Sequence, residues 1–174
     1  ASKLVRNFSL YLRGNFSELD NVKPIRFSQE MNHVKHYTDI EQVRFPDMTI
    51  QYDLRSVEFL LPALSVQPLV ENAISHGVYN KLRGGEVVVS LTAQGEFLHF
   101  CVSDNGVGMT EKELERLCDS LYNEAEEYAY STVGGGIGLK NIYRRLRYYY
   151  GGAADMIIES EYGVGTTIKL VLPK

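Results

Sequence analysis

Cysteines, membrane-length apolar runs and blocks of basic residues are scarce or missing in this 174-residue sequence. Its two cysteines, Cys101 and Cys118, fit neither a disulfide framework nor a zinc-ligand set, which favours a reducing compartment. No apolar run approaches the roughly 18 residues of a membrane span, and we expect no signal peptide. The net charge of −4 and the absence of a Lys/Arg block argue against a nucleic-acid partner. A polyanionic ligand would therefore need a metal and a few local cations to neutralise it.

The periodicity of the apolar residues predicts a short helical N-terminal part followed by an α/β domain. Helical patterns cover residues 4–12 and 28–44, and in the second the apolar residues drift around the helix, as in a helix contacted from more than one side. Because the chain begins at Ala1 without Met and runs straight into a helical pattern, we read it as part of a longer protein. We place the boundary between residues 45 and 46.

Residues 46–174 show an alternation of strand and helix patterns that predicts one mixed sheet covered by three helices, an α/β sandwich. The predicted strands are residues 48–54, 86–92, 97–104, 156–160 and 166–172, of which the second and third form a hairpin. The predicted helices are residues 62–77, 111–121 and 136–150. The connection over residues 105–135 is unusually long for a compact domain, and function is the common reason for such a length.

The first motif with chemical content is LVENAISHG, residues 69–77. On an α-helix, Asn72 and His76 lie four residues apart on one border of the apolar stripe. An amide oxygen there can bind Mg²⁺, which usually keeps its waters and takes only one or two protein ligands. The plainer interpretation is a solvent-facing Asn beside a satisfied His.

The second motif is SDNGVGM, residues 103–109. Alternation along the preceding strand puts Asp104 on the inward, apolar face. A carboxylate there needs a partner, and an adenine amino group is a good candidate. Gly106 and Gly108 let the backbone approach a flat ring closely. An ordinary Asp-Asn-Gly turn is the alternative.

The third motif is GGGIGL, residues 134–139, which opens a helix. Consecutive glycines before a helix N-terminus expose N–H groups to an anion, and the helix dipole adds to the attraction. The motif is neither a Walker A sequence nor a clean dinucleotide fingerprint, because Leu139 replaces the last glycine. A flexible linker is the alternative.

Together, the order and spacing of these motifs resemble the N, G1 and G2 boxes of the GHKL (Bergerat-fold) ATP-binding family. Residues 163–167 (GVGTT) match its last glycine box. Residues 67–77 (QPLVENAISHG) and 138–142 (GLKNI) look more narrowly like the LytS/YesM-type sensor histidine kinases, and residues 37–45 resemble the end of that group's dimerisation region.

The resemblance implies ATP and Mg²⁺ as ligands, with Asn72 binding the metal and Asp104 the adenine. It further implies a lid over residues 105–135 and places Thr166 near the nucleotide. The whole set of implied ATP-binding residues is Asn72, His76, Asp104, Gly106, Gly108, Met109, Gly136, Gly138, Leu139 and Thr166. Lys140, Arg144 and Arg145 are candidates for countering phosphate charge, although helical geometry cannot bring all three to the ligand.

The resemblance also implies a cytoplasmic catalytic domain of a membrane-anchored, homodimeric sensor that passes phosphate from a histidine to a response-regulator aspartate. The family's acceptor histidine lies in a Pro-His-Phe motif, which this chain lacks. We expect it upstream and interpret His33 and His36 as part of a polar helix face. No residue is therefore assigned as catalytic, and the isolated chain is not expected to phosphorylate itself.

One departure from the family separates the possible activities. Related ATPases such as DNA gyrase carry a water-activating Glu four residues before the N-box Asn, where this chain has Pro68. Rapid hydrolysis is therefore not expected. The alternatives to a histidine kinase are a nucleotide-responsive binding module, a GHKL ATPase, which Pro68 opposes, and a serine kinase of the anti-sigma type, which the dimerisation-like N-terminus opposes.

Overall fold

Seven strands and four helices are formed by the residues that the computed structural model describes, which are 23–55, 57–79, 84–122 and 136–174. The strands are β1 (Ile25–Arg26), β2 (Thr49–Leu54), β3 (Leu60–Leu61), β4 (Glu86–Gln94), β5 (Phe97–Asp104), β6 (Asp155–Glu161) and β7 (Gly165–Pro173). The helices are α1 (Phe27–Arg44), α2 (Gln67–Asn72), α3 (Glu111–Tyr122) and α4 (Gly136–Tyr149), and α2 continues directly into a π-helical stretch, Ala73–Val78. The helix predicted over residues 4–12 lies outside the described residues. Within the described ranges, no helix has the length and apolar character that a membrane crossing requires.

A five-stranded mixed sheet organises these elements, with the strand order β2-β4-β5-β7-β6. β2 pairs with β4 in parallel, and the other three pairs are antiparallel. The β4–β5 pair is the predicted hairpin, and its ladder extends as far as the pair Gln94–Phe97. The predicted fold class, a mixed α/β sheet covered by helices, is confirmed. The remaining strands, β1 and β3, form a separate two-stranded antiparallel ribbon.

One face of the large sheet carries the core. Its alternate residues are buried, namely Val87, Val89, Leu91, Leu98, Phe100, Val102, Met156, Ile158, Ile168, Leu170 and Leu172. The helices contribute buried residues such as Leu69, Ile74 and Leu146 to the same cluster. Because side chains alternate between the faces of a strand, this inward face continues to Asp104 at the end of β5.

Helix α1 packs into the same core through one face. Its buried residues are Phe27, Glu30, Met31, Val34, Thr38 and Glu41. These positions recur mostly at intervals of three or four residues, so they form a single stripe. Half of them are polar, which explains why the apolar residues alone drift around the helix. The boundary between residues 45 and 46 stays a prediction, and α1 shares its core with the residues that follow it.

Helix α2 begins at Gln67 and not at the predicted residue 62. The preceding residues form a turn in which Leu64 has a φ of 58°, a left-handed conformation that no α-helix contains. Pro68 lies in the first helical turn, where its missing N–H has no intrahelical partner to lose. The helix that carries the first motif is therefore shorter at its N-terminus than the apolar pattern indicates.

Candidate functional site

The first motif lies where α2 changes its helical type. Asn72 is the last α-helical residue, and the next six form the π-helical stretch, in which the Tyr79 N–H donates to the Ile74 carbonyl at 3.0 Å. Asn72 is half-buried and His76 is exposed. A π-helix needs more residues per turn than an α-helix, so the four-residue spacing no longer returns to the same angular position. Short π-helical insertions are frequent at functional sites.

The end of this helix lies directly against Asp104. A Cβ placed on Gly77 would lie 2.4 Å from Asp104 Oδ1, and a Cβ on Gly106 would lie 2.2 Å from the carbonyl carbon of Gly77. Asp104 Oδ1 accepts a hydrogen bond from the Gly106 N–H at 2.8 Å. Asp104 itself is half-buried. Glycine is therefore required at both positions by close packing, which brings the first and second motifs together.

The loop after Asp104 is held by its own backbone and by Asn105. Asn105 Oδ1 accepts a hydrogen bond from the Glu86 N–H at 2.8 Å, and the Asn105 N–H donates to the Glu86 carbonyl at 3.1 Å. Farther along, Gly108 has a φ of 62°, and a Cβ there would lie 1.9 Å from the Glu161 carbonyl oxygen. The Gly163 N–H donates to the Val107 carbonyl at 2.7 Å. The second motif and the last glycine box are thus in direct contact.

The strand register brings Thr166 opposite Asp104. Asp104 on β5 pairs with Thr166 on β7, and Thr166 pairs in turn with Ser160 on β6. Because directly paired residues point to the same face of a sheet, all three side chains are on the inward, helix-covered side. Met109, also predicted at the site, is connected to them because its N–H donates to Ser160 Oγ at 2.9 Å.

The third motif is described only from Gly136, the first residue of α4. Gly138 is exposed, and a Cβ there would meet no atom within 4 Å. Leu139 is 5% exposed and belongs to the hydrophobic core. Residues 123–135, which hold the C-terminal part of the predicted lid and the first glycines of the motif, lie outside the described residues.

The three candidate cations of α4 have different surroundings. Lys140 is half-buried and Arg144 is exposed. Arg145 donates from its Nη2 to the Leu64 carbonyl at 2.5 Å. Burial lowers the pKa of Arg145, and the nearby Glu30 carboxylate partly offsets this. Arg145 therefore connects α4 to the turn before α2, which leaves Lys140 and Arg144 as candidates for phosphate contacts.

A metal at this site would have to share its ligands with the nucleotide. Across the described ranges, no group of three or more His, Cys, Asp or Glu side chains could hold a metal ion. Mg²⁺ in nucleotide enzymes is usually bound by one or two protein oxygens together with substrate phosphates and waters. A single half-buried amide at Asn72 fits that mode of binding and not a metal site formed by protein alone.

A depression of about 300 Å³ also opens near the β6–β7 turn. Its lining includes Glu159, Glu161 and Thr167 together with the inward-facing residues Asp104, Ser160 and Thr166. The first three lie on the outer face of the sheet, so the depression is at the sheet's end and not beneath the helices. Three carboxylates in this lining, Asp104, Glu159 and Glu161, make it unsuitable for a polyphosphate.

Three residues that position the site do not stand out in the sequence. From the sequence, Gly77 is interpreted as the end of a helix, although its place in the first motif could have indicated close packing. Ser160 gives no local signal, because its partners are far away along the chain. Glu30 gives none either: it is 1% exposed and accepts hydrogen bonds from the Val66 and Gln67 N–H groups at 2.7 and 3.2 Å. A buried carboxylate of α1 thus caps the helix that carries Asn72.

Comparison with known proteins shows the family to which this chain belongs. The family model described as histidine kinase-, DNA gyrase B- and HSP90-like ATPase matches residues 62–174, and a model described as histidine kinase matches residues 1–49. The chain therefore belongs to the histidine kinase-, DNA gyrase B- and HSP90-like ATPase family.

Individual relatives narrow the class to sensor histidine kinases. Sensor protein LytS of Bacillus cereus is 36% identical over 179 residues, which cover 100% of this chain and 29% of that protein. Sensor histidine kinase YpdA of Escherichia coli is 38% identical over 87% of this chain and 25% of its own length. The nucleotide-free catalytic domain of histidine kinase ThkA shares the fold, with a TM-score of 0.63 at 12% identity over 87% of this chain and 96% of that domain.

These matches confirm the predicted resemblance, and the chain carries the ATP-binding catalytic domain of a sensor histidine kinase. The chain spans less than a third of the length of the two curated relatives.

Proposed function

We propose that this chain binds Mg-ATP at the inward end of β5 and presents the γ-phosphate to a histidine supplied by residues outside residues 1–174. The main support for this proposal is that residues from separate motifs lie around Asp104. Gly77 from the first motif, Gly106 from the second and Thr166 from the last glycine box all lie against or opposite that carboxylate.

In this proposal Asp104 accepts a hydrogen bond from the adenine amino group, and Thr166 lies beside the same base. Gly106, Gly108 and Met109 form the adjoining loop, whose backbone contacts hold it against the β6–β7 turn. Asn72 supplies the metal ligand, with His76 on the following turn. Gly136, Gly138 and Leu139 belong to the helix N-terminus that faces the phosphates, where oriented N–H groups favour an anion.

Phosphoryl transfer then needs positioning and charge stabilisation more than covalent chemistry from the protein. A bound Mg²⁺ would counter the phosphate charge, and Lys140 and Arg144 are the α4 cations that we assign to help it. The acceptor imidazole nitrogen forms the bond to the γ-phosphorus as the bond to the bridging oxygen breaks and ADP leaves. Pro68 has no basic group, so water at the place of the imidazole would not be activated from that position.

The wider role of the protein is part of the same proposal. We infer a cytoplasmic domain of a membrane-anchored, homodimeric sensor, with the chain's own dimerisation helix and a response regulator as protein partners. The similarity of the whole chain to a sensor protein at 36% identity supports this role.

The test compares this chain with a longer one that includes the upstream histidine region. Both should bind ATP, but with γ-labelled ATP only the longer protein should gain a label, and that label should be labile in acid and stable in base. Tethering the imidazole beside the γ-phosphate supplies the effective concentration that the transfer needs. Labelling of the short chain that His33→Ala or His36→Ala abolishes would place the acceptor inside it. A longer protein that binds ATP but never labels would instead indicate a nucleotide-responsive binding module.

A further inference from the structure

Ser160 makes three polar contacts at the inward end of the sheet. Its Oγ accepts a hydrogen bond from the Met109 N–H at 2.9 Å and donates to the Gly165 carbonyl at 3.0 Å. It also lies 2.8 Å from Thr166 Oγ1, a contact in which either hydroxyl could be the donor. A serine hydroxyl has one hydrogen and two lone pairs to distribute over these contacts.

Only one assignment makes all three contacts hydrogen bonds. The Gly165 carbonyl can only accept, so it takes the single Ser160 hydrogen. The Met109 N–H can only donate, so it occupies one Ser160 lone pair. Thr166 must therefore donate its own hydrogen to the remaining lone pair of Ser160. The Thr166 hydroxyl is left with lone pairs alone for any other neighbour.

This assignment determines which hydrogen-bonding groups Asp104 and Thr166 offer to a bound base. Asp104, which pairs with Thr166 across β5 and β7, presents a carboxylate that can only accept. Its Oδ1 accepts from the Gly106 N–H, and an ionised carboxylate has about four lone-pair sites to share among several donors. Both groups opposite each other on this face are thus acceptors. A ligand edge with an N–H₂ group satisfies them, whereas a carbonyl oxygen would face two sets of lone pairs.

We propose that Ser160 is a positioning residue for nucleobase selection, because it fixes the Thr166 hydroxyl as an acceptor and so makes the site favour a 6-amino purine over a 6-oxo purine. The proposal deepens the proposed function and rests on it, since Asp104 and Thr166 must face the base. Ser160 acts through Thr166 and need not touch the nucleotide. Removing its hydroxyl frees the Thr166 hydrogen to rotate toward a carbonyl oxygen.

The experiment measures the affinities of ATP and inosine triphosphate for the wild type, for Ser160→Ala and for a matched control. Inosine triphosphate differs at the relevant edge in carrying an oxygen where ATP carries the amino group. The control is Ser103→Ala, because Ser103 Oγ lies 2.8 Å from Thr167 Oγ1 in the same Ser–Thr arrangement on the opposite face of the sheet. Both variants lose one serine hydroxyl from a strand of the same sheet.

Ser160→Ala should reduce the preference for ATP over inosine triphosphate by about two- to tenfold. This range corresponds to the net free energy of one hydrogen bond between neutral groups. Ser103→Ala should keep the wild-type preference. The ratio is insensitive to partial unfolding, because both nucleotides report on the same folded fraction. An equal preference in Ser160→Ala and Ser103→Ala would overturn the proposal, whereas a wild type that binds neither nucleotide would overturn the proposed function instead.

Thr166→Val provides a second test that does not depend on how well Ser160→Ala folds. If the Thr166 hydroxyl is held as an acceptor, its removal lowers ATP affinity and shifts the ratio toward inosine triphosphate. If it is a donor to the ligand, the same variant loses inosine triphosphate affinity and shifts the ratio the other way. That second result would contradict the role of Ser160.

Discussion

Single residues set the shape of the proposed nucleotide site through very short distances. Gly77 and Asp104 are far apart in the sequence, yet the Gly77 Cα lies so close to the carboxylate that no side chain fits between them. The Gly106 N–H donates a hydrogen bond to Oδ1, the carboxylate oxygen that lies nearest to Gly77. Asp104 is therefore held in place by two glycines, and its orientation depends on both.

Gly77→Ala tests this dependence. The added methyl group would lie 2.4 Å from Asp104 Oδ1, so the carboxylate or the helix end must move. We expect a loss of about 1–3 kcal/mol in stability from overpacking and a fall in ATP affinity of about tenfold or more, measured by denaturation and by calorimetric titration.

The control for that variant is Gly95→Ala in the β4–β5 turn. Gly95 has a φ of 57°, and a methyl group added there would meet no atom within 4 Å, so alanine strains the backbone without touching the site. It should cost comparable stability and leave ATP affinity unchanged. Equal losses of ATP affinity in both variants would show that Gly77 acts only through general stability.

Asn72→Ala tests the proposed metal ligand. Because the lost amide acts through the ion, the substitution should weaken Mg-ATP binding far more than binding of ATP without Mg²⁺. Titrations with and without Mg²⁺ in the same buffer measure the two losses. If they are the same, Asn72 has no role in holding the metal.

At the scale of elements, two buried carboxylates of α1 contact the two ends of the segment formed by α2 and its π-helical continuation. Glu30 caps the first N–H groups of α2, and Glu41 accepts a hydrogen bond from the Tyr79 hydroxyl just beyond the π-helical stretch. The Phe45 ring packs against the same Tyr79 in a tilted arrangement, with ring centroids 4.3 Å apart. The helix that carries Asn72 is therefore positioned by α1.

The variants Glu30→Ala and Glu30→Gln distinguish the contribution of helix capping to stability from that of the buried negative charge. Alanine leaves two buried N–H groups without their acceptor, a loss of about 1–2 kcal/mol for a helix cap, and removes the negative charge near Arg145. Glutamine keeps an acceptor oxygen for the N–H groups. Urea denaturation should rank the wild type above Glu30→Gln and Glu30→Gln above Glu30→Ala.

Glu58 offers a matched control for the buried cap. Its exposed carboxylate accepts a hydrogen bond from the Ser28 N–H at 3.1 Å near the start of α1. Because water can replace an exposed acceptor, Glu58→Ala should cost less than Glu30→Ala. Equal losses at the two positions would contradict the importance of burial for this cap.

At the scale of the whole molecule, the raised pKa values of several partly buried phenols should make stability depend on alkaline pH. Burial, reinforced by the hydrogen bond to Glu41, raises the pKa of Tyr79 to about 12. Burial also raises the pKa of Tyr52, Tyr122 and Tyr150. In each case the folded state retains a proton that the unfolded chain releases nearer the ordinary pKa of about 10. Their contribution to stability is full below that pH and is lost as the pH rises toward the folded values.

The free energy of unfolding should therefore fall between about pH 10 and pH 12. Tyr79→Phe should lower stability at neutral pH, because Glu41 loses a partner, and should make the alkaline decline shallower. Denaturant titrations across the range from neutral to strongly alkaline pH, with phenolate absorbance followed in parallel, measure both effects. A decline of the same steepness in Tyr79→Phe would show that this phenol is not responsible.

Local sequence patterns predict most of the helices and strands of the fold. Period-two alternation identified the strands of the large sheet, and helical periodicity identified α1, α3 and α4 to within a residue or two. Local patterns do not predict the two-residue strands β1 and β3, because a pattern needs several repeats to appear. They place the start of α2 too early, because the apolar stripe continues through the turn at Leu64.

What the sequence determined by itself is therefore the identity and order of the motifs, because glycine spacing, inward alternation and helix periodicity are properties of neighbouring residues. Only the tertiary structure decided which groups meet. The Glu30 cap joins residues 36 positions apart, and the Met109–Ser160 hydrogen bond joins residues 51 apart. No local pattern encodes such a contact, since it depends on how β6, β7 and α1 pack around the end of β5. Burial is the physical reason for these long-range contacts, because a buried polar group is costly unless the fold places a hydrogen-bond partner beside it.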